Sequence, residues 1–81
     1  MFFYEESREN PEIINLCRNL AKYRRDHGLS EHEMAGKLSL RAMDIRSIEI
    51  GVLPWEMTVD SLLRAARLLG VNMSALFRAM E

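Results

Sequence analysis

The chain has too little of several things to belong to most protein classes. Its 81 residues contain one cysteine, Cys17, so no internal disulfide can form, and the amphipathic stretch around it marks a reduced, buried thiol rather than a reactive one. Two prolines and four glycines exclude collagen-like and proline-rich chains. Aromatics are scarce, which leaves Leu, Ile and Met to build the core. No apolar run approaches the ~18 residues that a membrane span needs. Met1-Phe2-Phe3-Tyr4 runs into Glu5-Glu6 without the basic start and long apolar centre of a signal peptide, so the expected compartment is the cytoplasm, with no membrane partner. Catalytic signatures are missing too. His27, His32 and Cys17 make neither a metal set nor a triad, and there is no glycine-rich phosphate loop, so neither an enzyme nor a cofactor or metal is expected. Excess charge of either sign is also missing. The net charge of −1 counts against a nucleic-acid partner, because strong binders usually carry a basic surplus.

What is present describes a folded domain. With 48% hydrophobic and 28% charged residues the chain has enough apolar surface to collapse, but at this length it buries only about 60% of its unfolded surface, so a small core must pack well. Charge is unevenly spread. Residues 1–17 hold one Arg against four Glu, residues 18–46 hold seven Lys or Arg against four acids, and residues 47–81 hold three against four. The positive surplus falls in the middle, although a solvated helix surface explains it as well as a polyanion does.

Read in order, residues 1–9 form an extension and residues 10–81 one domain. Asn10-Pro11-Glu12 is a helix start, with a capping side chain, a proline tolerated at the first position and an acid for the dipole. Ile13, Leu16, Leu20 and Tyr23 then recur at helical spacing until His27-Gly28. Ser30 and Glu33 make a capping box, with Leu29 and Met34 as a hydrophobic staple, and Met34, Ala35 and Leu38 point inward. Leu40 and Ile45 make a second staple, which predicts a third helix over residues 42–50, closed by Gly51. Thr58 caps a fourth, with Val59, Leu62, Leu63, Ala66 and Leu69 on one face, and Gly70 closes it. Asn72 caps a short fifth helix that carries Leu76, Phe77 and Met80. No strand is needed, and the fold class is all-α: a compact five-helix bundle.

Two short helices joined by a tight turn are the arrangement that puts the second helix into the major groove of DNA. Leu29-Ser30-x-x-Glu33-Met34-Ala35-x-x-Leu38, Leu40, Ile45-x-x-Ile48-Glu49-x-Gly51, Pro54, and Leu68-Leu69-Gly70-Val71 with Leu76-Phe77 form an ordered set over residues 13–78. That set resembles the Cro and lambda-repressor type of helix-turn-helix, the XRE family. The resemblance implies a lambda-repressor-like bundle with residues 42–50 as the recognition helix and Ala42, Met43, Asp44 and Ser47 facing bases. It also implies phosphate contacts near Ser30, Glu31 and His32, and an internal ion pair between Arg24 and Glu49. Arg41 and Arg46 are the side chains best suited to grip phosphate.

This sequence departs from the family's pattern at the reading positions. Gln, Arg, Ser or Thr is common there, whereas Ala42 and Met43 offer only apolar contact to a thymine methyl and Asp44 only an acceptor for cytosine N4. Asp44 fits equally well as a dipole-matching acid at the start of the helix. Arg41 stands where a capping Ser or Thr is usual, and the loop Val52-Leu53-Pro54-Trp55 has no basic residue. The resemblance implies a small repressor-like transcriptional regulator, acting as a homodimer on a palindromic operator in double-stranded DNA. Leu53, Trp55, Phe77, Met80 or the apolar Phe2-Phe3-Tyr4 would form the dimer surface, though each also fits core packing or an unstructured end. A protein-interaction or antitoxin-like module of the same fold is the alternative, and the apolar, acidic reading face is compatible with it.

Overall fold

The structure, a computed structural model, describes residues 10–79. Its described residues form four α-helices and one 3-10 turn, with no strand: α1 Pro11–Asp26, α2 Glu31–Leu38, α3 Ala42–Glu49, α4 Val59–Leu69, and the turn Met73–Phe77. The chain is thus all-α and compact. The expected fifth helix is a five-residue 3-10 turn, and five residues are too few to separate the two helix types by periodicity. No helix among the described residues is long and apolar enough to cross a membrane.

Every helix but α3, and the 3-10 turn, starts on a side chain that satisfies backbone N–H groups left open by the first turn. Asn10 Oδ1 accepts from Glu12 and Ile13, and Ser30 Oγ accepts from Glu33 at 3.0 Å while Glu33 returns the bond to Ser30 N–H at 2.7 Å. Thr58 Oγ1 accepts from Ser61, and Asn72 Oδ1 from Ala75. All four α-helices close in the same way. The N–H groups of Leu29, Leu40, Val52 and Val71 each reach back five residues, to the carbonyls of Arg24, Ala35, Ser47 and Ala66. This closure requires a left-handed residue just before the donor. Gly28, Gly51 and Gly70 supply it in three helices, and Ser39, at φ 60°, supplies it in α2.

Leu16 and Leu20 of α1, Met34 and Leu38 of α2, Ile48 of α3 and Leu76 of the 3-10 turn are fully buried at the centre. The faces expected of α1, α2 and α3 are the ones that pack, and α4 packs part of its expected face: Ala66 is buried and Leu62 and Leu69 lie against the core. This helix also buries Ser61 and Ala65, and leaves Val59 (66% exposed) and Leu63 (40% exposed) outside. Small side chains let α4 come close to α2, against which it packs, and hydropathy alone does not register that advantage. Buried Asn19 of α1 locks the C-terminal turn by donating to the carbonyls of Leu76 (2.8 Å) and Arg78 (2.9 Å). Asn15 donates to Phe77 in the same way. With one end of α1 fixed to that turn and the other to α3, the α2 and α3 pair is held against a rigid support.

Candidate functional site

Three residues, Ser39-Leu40-Arg41, join α2 to α3. Ser39 turns the chain, Leu40 packs partly buried against the core, and Arg41 takes the extended backbone of a helix cap (φ −100°, ψ 159°). An arginine side chain has no acceptor with which to cap α3. Asp44 compensates: its Oδ2 accepts from Arg41 N–H at 2.9 Å, and its two oxygens also receive the Arg41 guanidinium at 3.3 Å each. The carboxylate is thereby turned back on the start of its own helix and is only 3% exposed. Asp44 was expected among the base-facing residues. It is instead a structural cap, because the helix start lacked any other partner for the Arg41 N–H. Burial acts to raise the Asp44 pKa, but the Arg41 side chain, backbone N–H and charge outweigh it and hold the carboxyl below its ordinary value.

The inner side of α3 is anchored by buried Ile45 and Ile48 and by half-buried Glu49. Arg24 of α1 grips both oxygens of Glu49, through Nε to Oε2 and through Nη2 to Oε1 at 3.0 Å, while its Nη1 donates to the carbonyl of Leu29 at 2.9 Å. One guanidinium therefore ties α1, the α1 to α2 turn and the end of α3 together. The hydrogen bond to Glu49 keeps Arg24 firmly charged, above its ordinary pKa.

On the outer side lie Met43 (58% exposed), half-buried Ser47 and Ile50 (72% exposed), one stripe at helical spacing, with half-buried Ala42 at its start. Ser47 Oγ donates to the Met43 carbonyl at 3.2 Å, which leaves its lone pairs and the apolar neighbours to meet a partner. The two arginines flanking the stripe are engaged. Arg41 also reaches Glu56 at 2.9 Å, and Arg46 reaches Glu31 of α2 at 2.9 Å. Ion pairs this exposed hold only about 0–1 kcal/mol, so either guanidinium can exchange its carboxylate for a phosphate. At the start of α2 the capping box uses the N–H groups of Ser30 and Glu33, so the backbone donors it leaves open are those of Glu31 and His32.

The expected dimer residues divide. Trp55 is 62% exposed, whereas Leu53 and Phe77 are partly buried and pack against the core; Met80 and Phe2-Phe3-Tyr4 lie outside the described residues. Hydropathy periodicity missed Val59 and Leu63 as exposed apolar residues, whereas Ile50 lies outward as its helical position beside Met43 and Ser47 implies. Among the described residues no cluster of three or more His, Cys, Asp or Glu could hold a metal ion. Comparison with family models, with curated proteins and with solved structures found no match.

Proposed function

We propose that the chain is a sequence-specific double-stranded DNA-binding protein of the XRE type, a small repressor-like transcriptional regulator that lays α3 in the major groove. One observation carries this reading: α3 is anchored on one side by Ile45, Ile48 and the Arg24 to Glu49 pair, yet presents Met43, Ser47 and Ile50 outward between two arginines. A helix that served only the core would not expose two large apolar side chains on its free face. With Asp44 consumed as a cap, the base-reading set is Ala42, Met43 and Ser47. Apolar atoms on this set match thymine methyl groups, so the operator should carry T at positions beneath Met43. Arg41, Arg46 and the open N–H groups of Glu31 and His32 supply phosphate contacts that set register. Two copies on half-sites about 34 Å apart would read a palindrome, with exposed Trp55 at the homodimer surface.

A second reading draws on the same face. Met43, Ile50 and Trp55 are apolar and exposed while Arg41 and Arg46 already hold acids, which suits a protein partner of an antitoxin-like module. Fluorescence anisotropy with a labelled random-sequence duplex pool at two salt concentrations separates the two. DNA binding requires affinity that falls with salt, by a log–log slope of about −0.9 per neutralised phosphate. Salt-insensitive signal, or none at micromolar protein, favours the protein partner.

A further inference from the structure

We infer that α1 supplies a second DNA-backbone clamp, in which Arg18, Lys22 and Arg25 take the place of the basic loop that this chain lacks after α3; the inference rests on the DNA-binding reading above. A groove of about 520 Å³ runs between α1 and the end of α3. Arg18, Lys22 and Arg25 line one side of it, and Ile48, Glu49, Ile50 and Gly51 the other. Ile50 is also the last member of the outward stripe Met43, Ser47, Ile50, so the groove meets the reading face at that residue. Whatever backbone flanks the bases under α3 would run next along this groove.

The charges fit such a strand. Arg18 and Arg25 are exposed and make no ion pair among the described residues, while Lys22 is paired with Asp26 at 2.6 Å in an exposed contact that phosphate can replace. Glu49, the acid lining the groove, is held by Arg24 and so does not oppose them with an unpaired charge. From Arg18 to Arg25 the helix rises about 10.5 Å, at 1.5 Å per residue. The intervals are about 6.0 Å from Arg18 to Lys22 and about 4.5 Å from Lys22 to Arg25, so the three cations form one row along the groove. By contrast the loop at residues 52–55 offers no cation, and Arg41 and Arg46 each begin in a pair. Of the basic side chains bordering the outward face of α3, Arg18 and Arg25 are the two that need no carboxylate displaced.

The test compares the full chain with the double variant Arg18→Gln/Arg25→Gln and with a charge-matched control, Arg67→Gln/Arg78→Gln, on a mixed-sequence duplex from 50 to 200 mM salt. Loss of two phosphate contacts should make the salt slope shallower by about 1.8, so that the affinity gap between wild type and the first variant narrows about 12-fold across that range. The control should keep the wild-type slope. All four arginines are exposed, and unchanged thermal melting confirms that each variant is folded. Wild-type slope in the first variant, or the same loss in both variants, overturns the clamp while leaving DNA binding by α3 intact. Salt-insensitive behaviour of the unaltered protein overturns both.

Discussion

Replacing Asp44 is the sharpest test of how α3 is built. Its carboxylate accepts the Arg41 N–H at 2.9 Å from a nearly water-free position in the first turn. A hydrogen bond to a charged group contributes about 1.5–3 kcal/mol net, and a negative charge at a helix start adds about 0.3–1 kcal/mol. Desolvation of the carboxylate offsets part of this, and the exposed side-chain pair with Arg41 adds little. Asp44→Ala should therefore cost about 2 kcal/mol, or roughly 8–16 °C in melting temperature for a domain of this size. Asp44→Asn keeps an oxygen to accept the N–H and loses only the charge, so about 1 kcal/mol is expected. The pH dependence fixes the cause. Because the folded carboxyl is held below its ordinary value, its contribution is complete above the unfolded pKa of about 3.9 and is lost as pH falls through the folded pKa. Urea denaturation followed by circular dichroism in a series of buffers from pH 7 downward should show wild type and Asp44→Asn separated at pH 7 and converging as the pH falls through the folded pKa. An Asp44→Ala loss below about 0.5 kcal/mol at pH 7, or a gap that persists in acid, would refute the capping role.

Three further outcomes follow from the fold. Glu49→Gln leaves the Arg24 guanidinium facing an uncharged partner about a fifth exposed to water, and should cost about 2–3 kcal/mol, less than the 3–5 of a fully buried pair; an unchanged melting temperature would show that the pair does not hold α3. Ser39→Gly removes the left-handed penalty of a side chain at φ 60° and should raise stability by a few tenths to about 1 kcal/mol, whereas Ser39→Val should lower it. Burial pushes the Cys17 thiol up to about 11, so a thiol-specific reagent at pH 8 should label it only as fast as the protein unfolds; labelling at the rate of a free thiol would place it outside the core.

Local signals made most of the scaffold legible. Asn10, Ser30 with Glu33, Thr58 and Asn72 are caps that announce themselves by residue type and offset, and the glycines at 28, 51 and 70 mark left-handed closures. The α4 face was legible in part: spacing marks Leu62, Ala66 and Leu69, but Ser61 and Ala65, buried for being small, carry no such signal, and Val59 and Leu63 lie outside. Asn19 carried no sequence signal either, since its partners lie 57 and 59 residues away. At the candidate site, Asp44 was ambiguous between a base acceptor and a helix-start acid until its geometry showed the carboxylate on the Arg41 N–H. The cations of α1 looked like an ordinary solvated surface because nothing in the chain order reveals that they border the end of α3.

The claim that α3 reads base edges is tested most directly by selecting bound duplexes from a random-sequence DNA pool with wild type and with Met43→Gln, at one fixed salt concentration. The account predicts that wild type enriches a two-fold symmetric site with half-site centres about 34 Å apart, and that Met43→Gln changes the preferred base at one position per half-site, from thymine toward adenine, with the rest retained. Enrichment of no sequence by either protein, or of the same site by both, would contradict it.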